Sequence, residues 1–396
     1  MNEIFENQTS YSYELNADDS CRITAYQGDA VMLTIPTELD GHKVIDIGIY
    51  AFANCPHLKH VIIPEGVVTL FINAFYNCPE LETIQLPNTI ENNVNSSVRK
   101  CPKFMGYKVS ADHEMFELKD GVLFNKEVAH LVDYPAAMEQ TAYTVPEGIV
   151  EVMRGAFAEH TKLERVVLPE GLTKIGDGAF RDCEALREVV LPSTLEVIGG
   201  QAFAGCAALE RILIPASVCE IGQNAFSSCW SLQDIQVDEA STQFADTDGA
   251  LYTKDMKRLL RYPVDGRMGY VVPEGVEVIG TGAFSGCDTL AEVRLPQSLK
   301  VIEGSAFAHC SMLDHVVIPE GVQAIAPATF FGCTNLAEIE LPQTLGMISQ
   351  QAFWYCFSLT EITVPATAKI QDDAFGGEPE VLEGLGMDCI PEIIRK

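Results

Sequence analysis

Positive charge is scarce in this chain: 26 Lys and Arg stand against 56 Asp and Glu over 396 residues, a formal charge of -30. A surface of that sign repels phosphate backbones and anionic headgroups, so nucleic-acid binding is excluded and cationic partners are favoured. Long apolar runs are missing as well. No stretch approaches the roughly 18 continuous apolar residues of a membrane span, and the opening MNEIFENQTSYSYELNADDS has neither a basic start nor an apolar core of signal-peptide length. Taken literally this predicts a cytoplasmic protein without membrane insertion. A cell-surface or secreted protein is the alternative if a leader lies outside the sequence. The sharp catalytic and phosphate-cradling motifs (G-x-x-x-x-G-K-[ST], H-E-x-x-H, G-x-S-x-G, the Rossmann glycines) are absent, and so is C-x-x-C. The expectation is a protein that is not an enzyme, with no catalytic, cofactor or metal residues assigned.

What the chain has in abundance is one spacing. The run Leu168 to Val190, LPEGLTKIGDGAFRDCEALREVV, sets Leu-Pro, Ile-Gly, Ala-Phe, Cys and Leu at addresses that return every 23 residues. A fixed period of this length means a stack of supersecondary units and overrides the usual count of domains by length. Phe52, Phe75, Phe157, Phe180, Phe203, Phe226, Phe284, Phe307, Phe330, Phe353 and Phe375, with Val98 in a weaker copy, count twelve turns.

Within a turn, Leu186-x-x-Val189-x-Leu191 predicts a short strand that stacks in parallel on its neighbours. Pro192, which has no N–H to continue a ladder, ends it. Ten of the 13 cysteines share one address, three residues after the Phe position. Stacked turns hold equivalent side chains about 4.8 Å apart, wider than the Cβ separation of a disulfide, so the cysteines read as a ladder of free buried thiols.

Residues 1–35 do not match the repeat and read as an N-terminal cap, 36–376 as the repeat array, and 377–396 as a C-terminal cap. Two β-hairpin insertions, about 110–145 and 238–272, interrupt the array. They match each other at an offset of 128: Phe116, Gly121, Leu123, Lys126, Leu131, Tyr134 and Pro135 against Phe244, Gly249, Leu251, Lys254, Leu259, Tyr262 and Pro263. Asp120-Gly121 and Asp248-Gly249 supply their turns.

The recurring C-x-x-L-x-x-[VI]-x-[LI]-P-x-x-[LV]-x-x-I-x-x-x-A-F resembles the BspA-like, or treponemal, class of leucine-rich repeats, and the D-G-[VA]-L-[FY] hairpins ending in Tyr-Pro resemble insertions of that family. The resemblance covers nearly the whole chain. It implies a β-rich solenoid, a right-handed curved coil, that binds protein on its concave parallel sheet, the alternative being a cell-surface or secreted adhesin-like module of bacterial or protozoan type that binds host matrix protein or carbohydrate. In place of the common ladder asparagine this chain has Thr89, Gly171, Thr194, Ser217, Ser298, Gly321, Thr344 and Thr367.

Function is then expected on the exposed strand positions, where a repeat protein varies without disturbing its core. Val167, Val190 and Leu213 are consecutive and apolar, flanked by Arg165, Glu188 and Arg211 in a row of alternating charge. Such a strip suits a protein partner. A second candidate is aromatic: Phe331 and Trp354 one turn apart, with Tyr355 beside them, a platform for protein or carbohydrate. His57 with His60, and Asp246-x-Asp248-Gly249, are weighed as cation ligands and read instead as exposed histidines and a turn.

Overall fold

The computed structural model describes residues 10–91, 94–376 and 390–396. Most of the predicted C-terminal cap, 377–389, lies outside the described residues. Among the described residues every regular element is a strand, most of them two to four residues long. Two compact units divide the chain, Met1–Leu186 with Val197–Phe203, and Arg187–Glu196 with Ala204–Lys396.

In the first unit Ser10–Leu15 lies antiparallel on Cys21–Gln27, which pairs in parallel with His42–Ile47 and so opens the stack. Met32–Thr34, His60–Ile62, Thr83–Gln85 and Gly106–Lys108 follow as a four-stranded parallel sheet. The first hairpin, Phe116–Lys119 against Val122–Asn125, turns through Asp120 and Gly121 at φ 51° and 84°. Two left-handed residues match the twist of paired strands, and this is the turn that Asp-Gly favours.

The second unit repeats the plan. Phe244–Thr247 and Ala250–Thr253 form its hairpin. Gly269–Val271, Glu292–Arg294, His315–Val317 and Glu338–Glu340 form a parallel sheet, and Glu392–Arg395 pairs in parallel with Glu361–Val364.

Each turn closes on one dry interior. In the strand His315–Val317 the middle residue is buried and its neighbours are not, as period-2 alternation requires. The Phe rings stack face to face along the repeat: Phe157 on Phe180 at 4.8 Å, Phe180 on Phe203 at 5.2 Å, Phe284 on Phe307 at 4.9 Å and Phe307 on Phe330 at 5.4 Å. Burying each contributes roughly 1.5–3 kcal/mol. At the proline corner the ladder serine or threonine does the work of an asparagine. Ser298 Oγ donates to the Val276 carbonyl at 2.8 Å and accepts from the Gly275 N–H at 2.9 Å.

The described residues form about 15 turns, not the twelve that phenylalanine counts. Tyrosine seats the others. Tyr134 stacks on Phe157 at 4.9 Å, and Tyr262 meets Phe284 at 5.0 Å and Tyr26 meets Phe52 at 5.2 Å with the rings tilted by 34° and 31°. The third strand of each insertion is therefore a coil of the stack, with His130–Asp133 parallel to Glu151–Val152 and Arg258–Arg261 parallel to Val278–Ile279. The same holds for Cys21–Gln27 within the segment read as an N-terminal cap.

Candidate functional site

The exposed strip forms because each strand is three or four residues long with one core residue between two outward ones. Arg165 and Val167 flank buried Val166 in the first unit, Arg165 exposed and Val167 half-buried. In the second unit Glu188 and Val190 flank Val189, and Arg211 and Leu213 flank Ile212. Val190 is 36% and Leu213 55% exposed. Arg211 and Leu213 stand in register with Asp234 and Gln236 on the next strand. Beside them Arg187 and Glu210, one turn apart, form an ion pair at 3.3 Å. The strands Glu188–Val190 and Arg211–Ile214 belong to different hydrogen-bonded sheets.

The aromatic candidate is larger than the sequence suggests. Phe331 and Trp354 lie 6.4 Å apart at 28°, and Tyr355 meets Phe331 edge-on at 5.2 Å; all three are half-buried. Trp354 is held by its Nε1–H donating to the Asp373 carbonyl at 2.7 Å. His309 extends the row, edge-on to Phe331 at 5.2 Å, and Trp230 follows at 6.3 Å from His309.

The address two residues after each Phe explains the row. Asn54, Asn77, Asp182, Ser228, His309 and Tyr355 all take a left-handed φ between 55° and 62° there, so conformation alone does not demand glycine. Yet glycine stands at 205, 286 and 332, and at the last two a side chain would meet an aromatic ring. A Cβ on Gly286 would fall 1.8 Å from the Trp230 ring, and one on Gly332 2.8 Å from His309 Nδ1. The two glycines make room for the rings. Trp230, His309, Ser311, Asp288 and Thr334 border a shallow cavity of about 430 Å³ there. Sequence reasoning missed Trp230 and His309 because they occupy different repeat addresses from Phe331. The glycines at 286 and 332 were the available signal.

Of the weighed cation ligands, His60 faces Thr83 Oγ1 at 3.0 Å, and Asp246 accepts the Val237 N–H at 2.8 Å, both explained locally. Among the described residues one group has the make-up of a cation site. An imidazole nitrogen of His315 and carboxylate oxygens of Glu338 and Glu340 lie within 4.8 Å of one another on the strand face. One imidazole and two carboxylates suit a divalent transition ion, after small side-chain movements to bonding distance. No local motif marks them. They meet because His315 and Glu338 share one address in successive turns.

Stacked parallel strands over a stacked-ring core, with variable residues outside, define a leucine-rich repeat protein, a class built generally as interaction scaffolds. The chain belongs to the BspA type Leucine rich repeat region family, whose model matches residues 33–131, 136–248 and 269–381. Its structure is similar to that of a leucine rich cell surface protein from Faecalibacterium prausnitzii (28% identity, 99% of this chain and 95% of that one, TM-score 0.60). It is also similar to the pneumococcal vaccine antigen PcpA (20%, 99% and 98%, 0.48) and to a leucine-rich repeat protein from Eubacterium ventriosum (19%, 67% and 91%, 0.47). No curated protein matches. No helix among the described residues is long and apolar enough to cross a membrane.

Proposed function

We propose that this protein is a non-enzymatic scaffold that binds a protein partner through the outward face of its parallel strands, and that it works at a cell surface. One observation carries the binding reading. Leu213 is 55% exposed between two buried isoleucines, beside Arg211, Val190 and Glu188. An apolar side chain held in water by a rigid strand, with fixed charges around it, gives a partner both burial and register. The net charge of -30 favours a basic partner. The likeness to a cell-surface protein over nearly the whole of both chains supports the placement.

The test is affinity capture with the wild-type chain and with Val190→Glu and Leu213→Glu, each checked for an unchanged circular-dichroism spectrum. Loss of one captured protein in both variants supports the strip. Capture unaffected by either removes it. Fractionation of native cells tests the placement, and recovery solely from cytosol overturns it.

A second reading is carbohydrate binding on the aromatic row, favoured by the space that Gly286 and Gly332 leave for Trp230 and His309. Rings with polar groups such as Asp288 and Thr334 at their edge suit a sugar's apolar face and hydroxyls. A glycan array separates the readings: binding lost in Trp230→Ala supports this one, and no binding excludes it.

A further inference from the structure

The two insertions match in sequence and differ in what fills them. In the first, buried Arg99 donates through Nη2 to the Gly155 carbonyl at 2.6 Å and to Ser96 Oγ at 3.0 Å. Its charge also acts on the buried carboxyl of Asp133. In the second, 128 residues on, the counterpart of Asp133 is Arg261 and the counterpart of Arg99 is Ser227.

Arg261 takes over the task of Arg99. Its Nη1 donates to the carbonyls of Gly282 and Ser285, both at 2.9 Å, and Gly282 precedes Phe284 by two residues just as Gly155 precedes Phe157. Serine at 227 has no long side chain to fill the seam. A cavity of about 350 Å³ lies there, bordered by Ser227, Asn224, Phe244, Leu251, Arg258 and Arg261.

The cavity carries an unbalanced charge. Arg261 is 2% exposed, and its Nε and Nη2 have no hydrogen-bond partner. The neighbouring cation does not share this condition, since Arg258 is paired with Glu303 at 2.6 Å. A buried guanidinium with open donors and no counter-ion destabilises the fold, and an anion at those nitrogens offsets that.

We propose that this cavity binds a small organic carboxylate, its apolar body against half-buried Ile221 and Leu260 and its charged end on the Arg261 guanidinium, whose open nitrogens a small side-chain movement brings to the cavity wall. The volume sits at the small end of ligand sites, which limits the guest to about the size of one ring or a short chain. Exposed Glu220 also borders the cavity and disfavours a doubly charged anion such as phosphate. The site is separate from the strand face and the aromatic row, so it stands or falls apart from the functions proposed above.

The experiment is isothermal titration of the full chain with benzoate, with benzyl alcohol as the uncharged analogue and inorganic phosphate as the competing anion. Saturable benzoate binding, absent with benzyl alcohol and weaker with phosphate, is expected. The double variant Ser227→Arg with Arg261→Asp rebuilds the first insertion and is expected to bind at least about tenfold more weakly, the loss of one charge-assisted contact. If circular dichroism shows that this variant does not fold, Ser227→Leu, which fills the cavity and keeps the carbonyl contacts of Arg261, is read with the same expectation. No benzoate binding, binding unchanged in the folded variant, equal binding of benzyl alcohol, or phosphate binding as tight as benzoate would each overturn the proposal.

Discussion

The thiol of Cys78 donates to the carbonyl oxygen of Phe52, one turn back, across 3.0 Å. The contact recurs from Cys183 to Phe157 at 3.0 Å, Cys310 to Phe284 at 3.1 Å, Cys333 to Phe307 at 3.0 Å and Cys356 to Phe330 at 3.1 Å. The cysteine is thus a small apolar residue and also a donor to a buried carbonyl, the second donor where that oxygen already accepts a backbone N–H, as Phe307 does from Cys310 at 3.2 Å. Alanine lacks the donor and the volume; valine restores the volume alone. Cys333→Val is therefore expected to cost about 1 kcal/mol, the net worth of such a bond, and Cys333→Ala about 1 kcal/mol more for lost burial. Urea denaturation decides it, and a valine variant as stable as wild type would mean that the thiol donor contributes nothing.

The core was legible in the sequence because one address per turn must face one interior, and Phe, Cys and Leu-Pro return there in most turns. Tyr134 was not, although it stands 23 residues before Phe157, because its Tyr-Pro was read as the end of a hairpin. Its ring takes the phenylalanine seat in the stack. The cavity beside Arg261 was hidden for a different reason. Matching the insertions by their shared residues set aside Asp133 against Arg261 and Arg99 against Ser227, and those differences are where the second insertion gains space and charge. The repeat marked Leu213 as an outward strand position, but exposed residues carry no periodic constraint, so spacing alone did not say what they bind.

Asp133 gives the first insertion a pH dependence. Burial pushes its carboxyl up to about 7, against an opposing pull from Arg99. The folded chain therefore holds a proton that the unfolded chain releases near pH 4, so the site is least costly at low pH. Stability is lost as pH rises from about 4 to about 7 and is level above that. Asp133→Asn removes the dependence. Relative to wild type, the variant is expected to gain roughly 2–3 kcal/mol between pH 5 and pH 8, at about 1.4 kcal/mol per pKa unit. Urea midpoints of both proteins at the two pH values measure it, and an equal gap at both would show that Asp133 does not carry the shifted proton.

Thiol chemistry separates the ladder from the surface. Burial raises Cys183, Cys229 and Cys287 to about 12, whereas Cys219 is exposed. Alkylation requires the thiolate. Brief iodoacetamide treatment at pH 8, followed by peptide mass mapping, is expected to label Cys219 fully and those three ladder residues hardly at all, with all four equal after unfolding in urea. Native labelling of the three at the rate of Cys219 would contradict a closed core.

Gly286 tests whether the aromatic row is set by space or by backbone. Its φ of 79° is left-handed, but so is that of Asn77 at the same address, and His309 and Tyr355 also adopt it. Backbone strain for a side chain there is about 1 kcal/mol. The Trp230 ring adds a second cost, since it lies 1.8 Å from where a Cβ would stand. Alanine must therefore displace the indole, which is already 43% exposed and can swing toward water. Gly286→Ala is expected to cost about 2–3 kcal/mol, the backbone strain plus displacement of a packed ring, and to shift tryptophan emission to longer wavelength. In a Trp230→Ala background the same substitution is expected to cost only the backbone part. If the penalty is as large without the indole as with it, the ring does not require that glycine, and the row from Trp230 to Trp354 has no dedicated support at Gly286.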